Sequence, residues 1–593
     1  MNKRNEHPQY DKFPEVVIAG REQAARQGWP QVVATLQAAL AARAQQKTVL
    51  VVECYHGVAQ RELLTKLLMP LRPAALFDAA EARRSPEEID ALIDADLTDD
   101  PVFGRICTRE LADFFDPGKC ARLQQAIAAV SRGLVVVVGT GAALMAEGDL
   151  LIYADLARWE IQQRFRHGGL GNWGADNATA DLAARYKRAF FVDWRVLDRH
   201  KVPLLQRADF LLDTHQAGSP RLVSGAAFHA GLRQVARQPF RVVPFFDPGV
   251  WGGQWMKQQF DLDPAAANYA WCFDCVPEEN SLLMRFGDVR VEIPALDLVL
   301  LYPQALLGEA VYARFGAEFP IRFDLLDTVG GQNLSLQVHP TAPYIRQQFG
   351  MAYTQDESYY ILAAEPDAGV CLGVKTGTQP DEMAAALAQA GQGLNDFDDR
   401  RFINHLPARR HDHFLIPAGT VHCAGAGSVV LEISATPYLF TFKLWDWGRL
   451  GLDGRPRPLH LHHGREVIDW QRDTGWVTRE LVTRVEPVAA GPGWQEERTG
   501  LHPSQFIETR RHWFSVPVLH HTEGRVNVLN LIEGEEAVVE SPSGHFAPFV
   551  VHFAETFIIP AAVGAYRIRP CGRSLGKRLG TLKAWVREEA TPC

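Results

Sequence analysis

Apolar residues follow two incompatible patterns along this chain, and the change between them limits the fold more than any single motif. Up to about residue 240 they come in uninterrupted β-branched runs, VLVVE (Val49–Glu53) and GLVVVVGTGAAL (Gly133–Leu144). Helical patterns such as AQRELLTKLLMPL and DLLIYADLARWEIQQRFR separate these runs. A strand apolar on both faces belongs inside a parallel sheet covered by helices, so this part predicts an α/β domain. From Pro244 onward, strand-like alternation, Gly and Pro turns and aromatics dominate, broken by one helical stretch at PDEMAAALAQAGQ (Pro380–Gln392). That texture predicts an all-β region with a helical insertion.

A chain of 593 residues exceeds what one core can serve, so about three or four domains are expected. Hydrophobic residues at 47% and charged residues at 22% place it among ordinary globular proteins rather than disordered or fibrous ones. A formal net charge of -9 supplies no broad basic field, which argues against nucleic acid or an anionic membrane and leaves a small molecule as the default partner. The amino terminus, MNKRNEHPQYDKFPEVV, lacks the apolar run of a signal peptide, and no stretch approaches the roughly 18 apolar residues of a membrane span. A cytoplasmic protein is expected. Nine cysteines, an odd number and mostly isolated, predict reduced thiols. Cys272 and Cys275 form a CxxC with neither a second pair nor a βαβ setting, and read as two strand residues.

The β region contains an internal echo: FLIPAGTVH (Phe414–His422) recurs as FIIPAAVGA (Phe557–Ala565). Two cupin-like jelly rolls are expected, and Ala565 standing where the first copy has His422 predicts that only the first holds a metal. The predicted division is 1–240, α/β; 241–480, a metal-binding β domain with its helical insertion near 376–405; and 481–593, a second jelly roll without metal.

In LSLQVHP, Leu334, Leu336 and Val338 point to one face while Ser335, Gln337 and His339 point to the other. Residues two apart on a strand have Cα atoms about 7 Å apart, close enough for Gln337 and His339 to converge on one ion. DESYYIL supplies Glu357 at a strand start, and PAGTVHCAG supplies His422 after a Pro and Gly turn. Two imidazoles, a carboxylate and an amide oxygen suit zinc.

These motifs, with PAGTVHCAGAGSVVLEIS and the later LWDWGR, resemble type I mannose-6-phosphate isomerases in order and separation. The resemblance runs more loosely from VPFFDPGVWGGQW to RPLHLHHGREVIDW and on to the family's C-terminal jelly roll. It implies zinc held by Gln337, His339, Glu357 and His422, and interconversion of an aldose phosphate and a ketose phosphate through an enediol. Such a step needs an electrophile on the oxygens, a base near the carbon and cations for the phosphate. Glu432 in VVLEIS is the candidate base, since Leu431 and Ile433 face the other side of its strand, although a cavity glutamate that orients a ligand or a basic residue fits equally.

Three positions depart from the family, all of them in phosphate or proton chemistry. Asp324 in FPIRFDLLD and Gln355 stand where lysines are usual, with Arg322 able to face the same side as Asp324. Lys443 in TFKLWDWGR replaces an arginine, keeping the charge but not the planar bidentate contact. Asp446 and Arg449 suit a structural ion pair as well as a substrate contact, and the histidines of LHLHH (Leu459–His463) are expected to face solvent.

The stretch VLVVECYHGVAQRELLTKLL has the strand, loop and helix order of a phosphate-binding loop. With GLVVVVGTGAAL, the arginine-bearing helix after Asp155 and RADFLLD, it resembles uridine-kinase-like P-loop folds. The loop itself departs: Glu53 to Glu62 holds one glycine, Gly57, with no Lys, Ser or Thr, and Glu53 would repel triphosphate. A degenerate kinase-like domain is expected, with Arg158, Arg164 and Arg166 on a solvated helix face. The leading expectation is a zinc-dependent isomerase of mannose 6-phosphate or a close relative. Its rivals are a sugar-binding regulator that keeps zinc without turnover, and a bifunctional sugar kinase-isomerase.

Overall fold

The computed structural model describes residues 9–43, 45–452, 454–482, 485–500, 502 and 504–587; the first eight residues of the amino-terminal stretch lie outside this set. The chain forms two compact units that are discontinuous in sequence. One comprises residues 15–236 and 277–302, and the other residues 1–14, 237–276 and 303–593. Among the described residues no helix is long and apolar enough to cross a membrane, and eight cysteines are free thiols.

In the unit of 15–236 and 277–302, five parallel strands run in the order Ala75–Asp78, Gly133–Gly139, Lys47–Cys54, Leu150–Asp155, Phe210–Asp213. Antiparallel Arg221–Ser224 and Ala25–Gln27 extend the far edge. Leu50, Val52, Val136 and Ile152 are fully buried, because a strand covered by helices on both faces leaves no face for polar side chains. The Ser85 and Glu88 side chains satisfy the first backbone amides of helix Pro86–Leu97 reciprocally. A small sheet adds Glu15–Val17, Ser281–Phe286 and Val289–Pro294. The last two strands come from beyond residue 240, which a linear division of the chain does not foresee.

The arginines of helix Arg158–His167 differ from the expected solvated face. Arg158 is buried and ion-paired with Asp198, while Arg164 donates to the carbonyls of Gly57, Thr214 and His215 at 2.8, 2.8 and 3.0 Å. Arg166 alone is exposed, lying 5.1 Å over the Trp159 ring. Glu53 does not face the loop as free charge; its carboxylate accepts from the amides of Gly141 and Ala143 at 2.6 and 2.8 Å.

The other unit is built from four antiparallel sheets. A six-stranded sheet contains Ile321–Asp327, Ser428–Ala435 and Glu357–Ala364 side by side, and a five-stranded sheet contains Leu336–Val338 between His422–Ala424 and Phe442–Trp445. Helix Pro380–Gly391 is the main helix of the expected insertion. Trp271–Cys275 is a strand in which both cysteines are buried. C-terminally, a six-stranded sheet including Trp494–Gly500, Ile507–Phe514 and Leu579–Val586 and a four-stranded sheet including Val518–His521 and Ala565–Pro570 enclose one core around Phe514, Leu529, Val539, Phe557 and Ile568. The LHLHH histidines correct the sequence expectation: His460 is buried and its Nδ1 accepts from the Lys443 amide at 3.1 Å, and His463 stacks on Phe442. Only His462 is exposed.

Candidate metal centre

Gln337 occupies the middle of the three-residue strand Leu336–Val338, directly opposite His422 on one neighbour and Lys443 on the other. His339 follows as the strand ends, and Glu357 opens the strand Glu357–Ala364 in the other sheet. The turn before His422 passes through Gly419 at φ 90, a conformation disfavoured for side-chain-bearing residues, and the Gly419 amide donates to the His339 carbonyl at 2.9 Å. Two segments about eighty residues apart in sequence are thereby tied together at their histidines.

All four predicted side chains meet. Donor atoms of His339, Glu357 and His422 lie within 4.8 Å of one another, and all three residues are buried. His339 Nε2 stands 3.0 Å from Glu357 Oε2, His422 Nε2 stands 2.8 Å from Glu357 Oε1, and the Gln337 amide reaches to 3.2 Å from His422 Nε2. The other ring nitrogens fix the tautomers. His339 Nδ1 faces the Phe440 carbonyl at 3.2 Å and His422 Nδ1 faces the Thr420 carbonyl at 2.8 Å. A carbonyl only accepts, so each Nδ1 carries a proton and each ring turns its Nε2 inward. Two imidazole nitrogens and a carboxylate crowded into one buried space form a donor set that fits a divalent cation.

Over about 59% of its length the chain is similar to mannose-6-phosphate isomerases. It is 26% identical over 221 residues to the mannose-6-phosphate isomerase of Streptococcus mutans, covering 37% of this chain and 64% of that protein. It is 29% identical over 154 residues to mannose-6-phosphate isomerase ManA of Bacillus subtilis, covering 26% and 45%. These alignments thus span less than two thirds of either relative, both of which are named as enzymes of the isomerase class. Among solved structures, the Bacillus subtilis mannose 6-phosphate isomerase aligns with a TM-score of 0.46 at 16% identity, covering 59% of this chain and 99% of that one. A zinc-bound mannose 6-phosphate isomerase aligns with a TM-score of 0.44 at 15% identity, covering 59% and 100%. A domain of unknown function, DUF8485, matches residues 28–237.

The positions that depart from the isomerase pattern have found other partners. Gln355 donates its amide to Glu357 Oε2 at 3.1 Å, orienting the carboxylate where a lysine was the family expectation. Arg322 and Asp324 form a buried ion pair with each other, so Arg322 is not a free cation. Glu432 lies opposite both Asp324 and Tyr359 on the neighbouring strands. Burial, and next the Glu357 charge, push its carboxyl well above the usual range against the pull of Arg322. Lys443 is half-buried, and burial followed by the nearby Arg457 lowers its ammonium to about 8. Asp446 ties together Arg449, Arg457 and the Ser335 hydroxyl, and Arg449 also donates to the Asn333 carbonyl at 2.6 Å, a structural knot under the Trp447 turn.

Sequence reading missed the Phe440 and Thr420 carbonyls, which carry no side-chain signal. It also missed Gln505, whose amide donates to the Glu357 backbone carbonyl at 2.8 Å from the C-terminal sheets. A second set of donor groups, Cys371, Asp399 and His405, escaped notice because its members are isolated in sequence.

Proposed function

We propose that this chain is a zinc-dependent aldose-ketose isomerase interconverting mannose 6-phosphate and fructose 6-phosphate or a closely related sugar. The observation that carries this reading is the convergence of the inward Nε2 atoms of His339 and His422 on the Glu357 carboxylate beside the Gln337 amide. Zinc bound by these four residues would supply an electrophile for the carbonyl and hydroxyl oxygens of the sugar. Glu432, whose burial raises its affinity for protons, is suited to take a proton at one carbon and return it at the next. Lys443, still mostly protonated at neutral pH, is the cation for the phosphate. Similarity to proteins named mannose-6-phosphate isomerases supports the substrate class.

A second reading, a sugar-binding regulator that retains zinc without turnover, is favoured by one observation. Arg322 is spent on Asp324, and Gln355 is neutral, so two family cations are absent. A coupled assay of the whole chain with mannose 6-phosphate decides between the two. Turnover abolished by chelator and restored by zinc is the expected result; zinc retention and sugar binding without turnover would leave the regulator.

In this reading residues 241–480, apart from the segment 277–302 that belongs to the earlier unit, form the zinc-binding cupin, and 481–593 a cupin-like jelly roll without metal. Residues 1–240 form a degenerate P-loop kinase-like domain. Its parallel sheet supports the kinase-like part. The loop after Lys47–Cys54 supports the loss of function: Arg164 bonds its carbonyl at Gly57, and Glu62 accepts from the Trp29 indole at 2.9 Å and the Gly218 amide at 2.7 Å.

A further inference from the structure

A cavity lined by none of the four candidate metal ligands lies in the C-terminal pair of sheets. It encloses about 670 Å³ and is lined by Trp494, Trp585, Arg510, Lys583, His512 and His520. That size falls within the roughly 300–1,000 Å³ typical of small-molecule sites. Ala565, which stands where the internal echo has His422, also lines it.

Strand periodicity gathers these groups on one face. Lys583 and Trp585 are two apart on Leu579–Val586, Arg510 and His512 are two apart on Ile507–Phe514, and Trp494 opens the next strand. Arg510 and Lys583 are direct cross-strand partners, an arrangement of like charges that costs stability unless something compensates it. Arg510 is compensated by Glu496 at 3.0 Å and Glu508 at 2.8 Å. Lys583 is 9% exposed and, among the described residues, its ammonium forms no hydrogen bond or ion pair and sits 4.9 Å over the Trp585 ring. Burial, and then Glu496 and Arg510 with opposite signs, leave that ammonium lowered to about 8. Two further groups are unpartnered: His512 Nδ1 and His520 Nε2 are buried without a hydrogen-bond partner. Lys583 is thus a cavity-lining cation without a carboxylate of its own, and the imidazoles of His512 and His520 line the same cavity.

We propose that this cavity is a second ligand site, independent of the metal-centre reading, that binds an anionic monosaccharide. Lys583 takes the phosphate or carboxylate, and neutral His512 and His520 exchange hydrogen bonds with hydroxyl groups. The indoles of Trp494 and Trp585 cover the apolar face of the sugar ring. His512, His520 and Glu496 do not form a set able to share one ion, so an anion-bearing polyol fits the cavity better than a metal.

Calorimetric titration and tryptophan fluorescence of the whole chain test this, using mannose 6-phosphate, glucuronate, mannose and inorganic phosphate as probes. In a chain carrying His339→Ala and His422→Ala, which disables the metal centre, one site for mannose 6-phosphate or glucuronate should remain. The preferred probe of the two identifies the anionic group. Lys583→Met in that background should weaken binding about tenfold or more, and Trp585→Leu should reduce the fluorescence response, with Trp494 reporting the remainder. Absence of binding by either anionic sugar up to about 10 mM would overturn the proposal, as would affinity unchanged by Lys583→Met. Binding of mannose or of inorganic phosphate as tight as that of the anionic sugars would overturn it equally.

Discussion

Gln337 and His422 are direct partners across an antiparallel strand pair, with the Gln337 amide 3.2 Å from His422 Nε2. Strand register alone therefore sets two of the four candidate ligands side by side, and the carboxylate of Glu357 enters from the opposite sheet. The backbone fixes Gln337 and His422 while the Phe440 and Thr420 carbonyls fix the imidazole rings, so main-chain groups orient the donor set.

Substituting His339→Ala or His422→Ala should each lower bound zinc from about one per chain to less than about a tenth, since each removes a direct ligand from a site of four. Elemental analysis after gel filtration reads this out. Retention of one zinc per chain in both variants would refute the assignment.

Gln355→Ala should leave the ligands in place but free Glu357 Oε2 from the amide that orients it. A loss of about 10- to 100-fold in zinc affinity, measured by competition with a chelating dye, is the expected size for a supporting contact of this kind.

Arg322→Met should destabilise the unit by about 3–5 kcal/mol in urea denaturation, because it removes the cation paired with the buried carboxylate of Asp324 and leaves more negative charge facing Glu432. The double variant Arg322→Met with Asp324→Leu should recover most of that loss; if it does not, the cost lies in lost packing over the Tyr438 ring rather than in the ion pair.

His413 should make the protein acid-sensitive. Burial, helped by Arg511, lowers its pKa to about 3 and leaves both ring nitrogens unpartnered, whereas an unfolded chain protonates near 6.5. The unfolded state thus binds the extra proton, so this contribution to stability is complete above about pH 6.5 and is lost progressively as pH falls toward 3, on the order of a few kcal/mol. His413→Phe should flatten the urea midpoint against pH over that window; an unchanged slope would show that other groups control it.

Local patterns determined much of this protein from sequence alone. Unbroken β-branched runs such as VLVVE and GLVVVV can be buried only between layers of helices, and the parallel strands Lys47–Cys54 and Gly133–Gly139 lie there with their side chains enclosed. Alternation in LSLQVHP sets Gln337 and His339 on one side because a strand repeats every two residues. What alternation does not reveal is what stands opposite. Only the folded chain decided that Arg322 is consumed by Asp324, that Gln355 holds Glu357, that His460 is buried against the Lys443 backbone, and that the hairpin Ser281–Pro294 joins the earlier unit. It alone brought Lys583 opposite Arg510 above a cavity. The reason is common to all of these: periodicity is a property of neighbours in sequence, while the charge and hydrogen-bond partners of a buried group come from strands scores of residues away.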